Sequence, residues 1–198
     1  MSARDQLLVA GLEIIVERGY EQATVAAIRQ QAGVSNGSFF HCFASKEALA
    51  GELYLNAIAN YHAALLQALG GADSARAGIA ALISAHLDWV VNERLQASFL
   101  FNQLRGEWLE AIRDRQAQEN AALADALAAW QARHSGAGTL LALPAPVLFS
   151  QLIGPAQIFC RGWLSGRTAQ PPHTYAAELI ACACRALLPS IEENTDDH

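Results

Sequence analysis

Apolar residues recur at helical spacing through nearly the whole of this 198-residue sequence, and almost no stretch alternates as a strand would. Leu7, Leu8, Gly11, Leu12, Ile14 and Ile15 set the pattern for a first helix over about residues 2–18, with Gly19 placed to end it. Thr24 stands as N-cap of a second helix whose inward positions are Val25, Ile28 and Ala32. Gly33 makes a turn, Ser35 caps a short third helix, and Ser45 caps a long fourth one reaching about residue 69. Further helices are expected over 73–92, 95–105 and 107–134. After a loop at 135–143, Pro144 suits the first turn of a helix ending near 164, and a last helix spans 174–187. The expected fold class is all-α.

Residues 22–46 narrow this further. They contain no Asp or Glu in a chain of net charge −6, and they include Lys46, the sole lysine. Two short helices meeting at Gly33 and Val34 read as a helix-turn-helix, whose second helix enters the major groove of DNA while the first crosses the backbone. Such a helix needs short polar side chains near its start. Ser35, Asn36 and Ser38 supply them, and Gly37 lets the backbone come close. Asn36 can pair with adenine through its amide, and the serines with several bases. Phe39, Phe40 and His41 complete the candidate face, with core packing the competing role for both phenylalanines and a solvated surface position for His41. Thr24 and Lys46, each at a helix N-terminus, are candidates for phosphate.

The run from Thr24 to Leu49, TVAAIRQQAGVSNGSFFHCFASKEAL, resembles the N-terminal signature of the TetR (tetracycline-repressor) family. The common pattern there is T-x-x-x-I-A-x-x-A-G-V-S-x-G-x-x-Y-x-Y/H-F-x-S-K-E-x-L. The phrase LIGPAQIFCRGWLSG at residues 152–166 resembles the family's later helices more loosely. Three positions depart from the pattern. Arg29 replaces a small alanine, Phe40 replaces a tyrosine whose hydroxyl commonly holds a phosphate, and Cys42 takes a Tyr or His position. The resemblance implies a dimer that binds a roughly palindromic double-stranded operator and is released by a small-molecule effector.

Bulk properties set limits on that reading. The net charge excludes a protein that coats nucleic acid through its overall field, and residues 1–50 carry four basic groups against five acids. Neutral side chains and backbone N–H groups must then share the phosphate contacts. A hydrophobic content of 53% with only 16% charged residues implies apolar surface to hide, as in a dimer or a ligand cavity. Cys42, Cys160, Cys182 and Cys184 form no CxxC pair and have no zinc spacing. No basic-then-apolar leader opens the chain, and the longest apolar stretch, 139–159, is broken by prolines and polar residues. The expectation is a cytoplasmic protein with reduced thiols, no metal, no cofactor and no membrane span.

No HExxH, GxSxG or phosphate-loop pattern suggests catalysis. Aromatic and polar residues gather instead on the middle helices. His86, Trp89, Phe99 and Asn102 are effector-pocket candidates, together with Gln103, Trp108 and Trp130; for each, an ordinary aromatic core is the competing role. The absence of Lys and Arg from the apolar faces points to a neutral or apolar effector. Phe149, Ile153, Ala156, Cys160 and Trp163 form one candidate stripe for a homodimer. Leu179, Cys182, Ala183, Ala186 and Leu187 form another. The expected organisation is a DNA-binding domain at 1–47, an effector and dimerisation domain at 48–190 and a charged tail at 191–198. The alternative is a helical ligand carrier or adaptor that has lost DNA binding.

Overall fold

The computed structural model describes residues 1–102 and 108–190, and these are helical without a strand. Ten α-helices follow in order: α1 (Ala3–Arg18), α2 (Val25–Gln31), α3 (Asn36–Cys42), α4 (Lys46–Gly70), α5 (Ala75–Asn92), α6 (Arg94–Asn102), α7 (Trp108–Ala111), α8 (Arg113–Gly136), α9 (Ala145–Leu164) and α10 (Ala176–Leu187). A short 3-10 turn, Pro172–Tyr175, precedes α10. The sequence reading differs chiefly in two places. The helix expected over 107–134 is interrupted at Ile112, and it continues to Gly136, where a loop was expected from residue 135. The charged tail and part of the 95–105 helix lie outside the described residues.

The chain groups into two compact units, Met1–Ala63 with Trp89–Ala122, and Ala64–Asp88 with Leu123–His198. In the first unit, α1 packs against α2, α3 and α6. Leu7, Ile14, Ile15, Ile28, Phe39 and Leu49 are fully buried there. At about 25 cal/mol per Å² of apolar surface, each such side chain contributes roughly 1.5–3 kcal/mol. Gly11 sets the approach of α1 to α4, since a Cβ there would lie 2.6 Å from a Leu49 methyl.

Caps fix the boundaries of the short N-terminal helices. Ser2 and Asp5 form a reciprocal capping box at α1, with Asp5 N–H donating to Ser2 Oγ at 3.2 Å and Ser2 N–H donating to Asp5 Oδ2 at 2.9 Å. Thr24 Oγ1 accepts from Ala27 N–H at 3.1 Å, Ser35 Oγ from Ser38 N–H at 3.1 Å, and Ser45 Oγ from Ala48 N–H at 3.2 Å. Gly33 joins α2 to α3 at φ +68°, a conformation that favours glycine.

In the second unit Leu65, Ile79, Leu82, Ile83 and Leu87 are buried, as are Leu152, Ile153, Ala156, Cys160 and Leu187 of the C-terminal helices. The loop before α9 is tied to α10, with Leu141 N–H donating to Leu187 O at 2.9 Å. Gly78 of α5 lets the Trp130 indole approach closely, for a Cβ would sit 2.6 Å from Nε1.

Candidate DNA-binding face

The seven residues of α3 divide cleanly by exposure. Phe39 is fully buried, and Phe43, just past the helix, is buried with it. Asn36, Gly37, Phe40 and His41 are exposed, and Ser38 and Cys42 are half-buried. At 100° per residue the four exposed positions fall within one arc of the helix. The face is therefore Asn36 and Phe40 one turn apart, flanked by Gly37 and His41. Only Ser35 Oγ, at 3.9 Å, approaches the space a side chain would occupy at Gly37, so the backbone there is open to a large ligand.

Phe39 corrects the sequence reading, because a ring with no exposure cannot touch a groove. It anchors α3 from within, 5.2 Å from the Phe40 ring at 77° and 6.2 Å from the Phe43 ring. Ser35 and Thr24 are exposed, and their hydroxyl oxygens accept backbone caps, which leaves the Thr24 hydroxyl proton to donate outward. In the structure Ser35 Oγ and Ser38 Oγ lie 2.9 Å apart and share one such proton.

Lys46 is more committed than its sequence position suggests. Its Nζ donates to the Tyr20 carbonyl at 2.9 Å and sits 4.1 Å from the centre of the Tyr20 ring. The Tyr20 hydroxyl in turn donates to Glu47 Oε1 at 3.0 Å. The Ser45 hydroxyl, the backbone at the start of α4 and this Tyr20 bond together hold the Glu47 carboxyl below its usual range. Lys46 thus pins the start of α4 to the turn after α1. Sequence reasoning missed Tyr20, since nothing local in the sequence brings its carbonyl to a lysine 26 residues on.

A second set of charges lies within the same unit. Glu52 of α4 accepts from Arg4 at 2.9 Å and from Arg115 of α8 at 3.3 Å, while the Arg4 guanidinium lies 5.2 Å from the Phe43 ring centre. Burial alone would raise the Glu52 carboxyl, but the hydrogen bonds from Arg4 and Arg115 outweigh it and hold the group low.

Of the proposed effector-pocket residues, Trp89, Phe99 and Trp108 lie buried in the first unit. Trp89 Nε1 donates to Asn60 Oδ1 at 2.6 Å and its ring packs 4.8 Å from Tyr61. Phe99 stacks on Trp108 at 6.0 Å, and Trp108 also meets Tyr54 edge-on at 5.5 Å. His86 and Trp130 belong to the second unit. His86 is fully buried, and that burial pushes its imidazole down to about 4, so it is neutral at physiological pH. Trp130 packs edge-on to His134 at 5.6 Å and, with Leu66, Leu69 and Arg133, borders a groove of about 410 Å³. Gln103 and the side chain of Asn102 lie outside the described residues.

The C-terminal stripes also need correction. Ile153, Ala156, Cys160, Ala183 and Leu187 are buried within the single chain and serve its own core. Burial pushes the Cys160 thiol up to about 12, which leaves it inert. Phe149 is exposed, and Trp163 and Leu179 are half-buried. The exposed large apolar residues of α9 are Val147 and Ile158 on one side of the helix, the latter 73% exposed, and Phe149 on the other. Among the described residues, no group of His, Cys, Asp or Glu is placed to hold a metal ion, and no helix is long and apolar enough to cross a membrane.

The described residues, which present a capped, acid-free helix after a glycine turn, have the build of a helix-turn-helix. Residues 7–53 match the family described as "Bacterial regulatory proteins, tetR family". Over those residues the chain is similar to that family. It is 28% identical over 105 residues to the fatty acid metabolism regulator protein of Bacillus subtilis (strain 168), a match covering 53% of this chain and 54% of that protein. The chain therefore spans about half the length of this curated relative. Among solved structures, the B. subtilis transcriptional regulator FadR in complex with stearoyl-CoA superposes with a TM-score of 0.77 at 19% identity, covering 91% of this chain and 97% of that one. A TetR family transcription regulator from Marinobacter aquaeolei VT8 gives 0.77 at 17% identity, with 95% and 96% covered. At these identities the likeness is one of fold.

Proposed function

We propose that this chain is a ligand-responsive, DNA-binding transcriptional regulator that acts as a homodimer in the cytoplasm, most simply as a repressor. The observation that carries the reading is the exposed arc of α3, Asn36, Gly37, Phe40 and His41, free of acidic residues and set rigidly on the buried Phe39. Asn36 provides the base-reading amide, and Ser35 and Thr24 provide hydroxyls for phosphate or base edges. Each subunit would place α3 in one major groove of a palindromic site, with half-sites about one helical turn apart or a multiple of it. On this reading the domain at 1–47 binds DNA, and residues 48–190 bind the effector and the second subunit. This reading gives the chain no catalysis.

For the effector we infer a compound with a large apolar part. Two observations support this: the aromatic richness of the middle helices and the likeness to a regulator solved with stearoyl-CoA. An effector releases DNA only if it binds the DNA-incompetent state more tightly than the competent one. Enrichment of duplexes from a random pool by the full-length protein tests the function. A palindromic sequence released on adding a long-chain acyl-CoA or fatty acid supports the whole reading. Failure to enrich any sequence would favour a carrier that no longer binds DNA, and enrichment without release would overturn the effector class alone.

A further inference from the structure

We propose that Phe40 reads sequence directly, its ring meeting the C5-methyl group of one thymine in each half-site. The inference rests on the DNA-binding reading above and names a contact within it. Phe40 is 52% exposed on the same arc as Asn36, one turn further along α3. A large apolar ring left at the centre of a polar face has no role in the core. Its neighbour Phe39 fills that role with no exposure at all. The 5.2 Å edge-on contact with Phe39 fixes the Phe40 ring in place, so its outward edge is preorganised for contact.

Chemistry selects the partner. Phe40 carries no donor or acceptor, so it can neither hold a phosphate oxygen nor hydrogen-bond a base. In the major groove the thymine methyl is the apolar group that a base pair offers, and phenylalanine is a suitable partner for it. The adjacent open backbone at Gly37 allows α3 to sit deep enough for a ring at Phe40 to reach base edges. A position that would otherwise grip the backbone without regard to sequence thereby becomes a determinant of sequence.

The test uses the full-length protein and a duplex that it enriches from a random pool. Each thymine is replaced in turn by deoxyuridine, which removes only the methyl group. The wild-type protein should lose about fourfold in affinity at one symmetry-related pair of positions, the worth of one buried methyl. Phe40→Ala should bind the thymine duplex more weakly and be indifferent to that replacement. Photo-crosslinking from 5-iododeoxyuridine at the same base should attach to the peptide containing Phe40, a readout that needs no variant to fold. A uracil scan without effect on the wild type, a penalty retained in Phe40→Ala, or crosslinking to another peptide would overturn the proposal. If no duplex is enriched, DNA binding itself fails and the contact with it.

Discussion

The ammonium group of Lys46 lies 4.1 Å from the centre of the Tyr20 ring and donates to the same residue's carbonyl at 2.9 Å. One side chain thus joins the first residue of α4 to the turn that separates α1 from α2. A lysine expected to reach outward for phosphate is held back against the protein. It acts on DNA through the placement of the helix N-terminus and less through its own charge.

Replacing Lys46 with methionine should therefore cost stability first. The hydrogen bond and the cation–π contact together predict a loss of about 1–2 kcal/mol. Tyr20→Leu should lose a similar amount, and the double variant less than the two together, because both remove one interaction. Urea unfolding of the four proteins measures this; strict additivity would show that the pair is not coupled.

Glu52 is held by Arg4 and Arg115 and its carboxyl lies below the usual range. A depressed carboxylate stabilises the folded chain fully above its ordinary value of 4.5, and that contribution is lost as pH falls through the folded value. Both arginines are well exposed, so salt screens the pairs and each contributes at most about 1 kcal/mol. Glu52→Gln should unfold at lower urea concentration than wild type at pH 7, and the difference should shrink as the solution is acidified or salt is added.

His86 is fully buried, and its imidazole titrates near 4 in the folded chain against 6.5 as the ordinary value. Protonation therefore favours the unfolded state. The stability tied to neutral His86 is complete above about pH 6.5 and is lost progressively as pH falls towards 4, by roughly 3 kcal/mol in all. A His86→Leu variant should flatten this part of the stability profile. An unchanged slope between those pH values would contradict the assignment.

Two residues of α9 should behave oppositely. Ile158 is 73% exposed and Cys160 is fully buried. If α9 forms the homodimer face through Val147 and Ile158, which share one side of the helix, then Ile158→Glu should shift the protein towards monomer in analytical ultracentrifugation while leaving its helical content intact. Cys160→Ser instead puts a hydroxyl in an apolar core and should cost about 1–3 kcal/mol of stability without first breaking the dimer. A monomeric wild-type protein, or a dimer indifferent to Ile158→Glu, would remove α9 from the interface.

The short N-terminal helices were legible because their caps are local. Thr24, Ser35 and Ser45 each accept a backbone N–H three residues on, as the sequence reading of their positions implies. Phe39 and Phe40 show where that stops. Adjacent aromatic residues are equivalent in composition, and only the packing of α1 against α3 decides that the first is buried and the second exposed. The buried members of the C-terminal stripes were illegible for a related reason. α9 is apolar on more than one face, so Ile153 and Ile158 read alike in sequence, although the first is buried and the second exposed. Lys46 and Glu52 depend on partners 26 and 63 residues away, Tyr20 and Arg115, and no periodic pattern encodes such pairs.

The central claim is that the arc of α3 around Asn36 binds DNA. Fluorescence anisotropy with the duplex enriched from a random pool, read across a salt series, tests it most directly. The account predicts tight, sequence-selective binding that weakens about a hundredfold between roughly 50 and 200 mM salt, as for about four neutralised phosphates in the dimer. Asn36→Ala, with its fold and dimer intact, should lose selectivity over random DNA. Binding that is indifferent to sequence, or unaltered in Asn36→Ala, would contradict it.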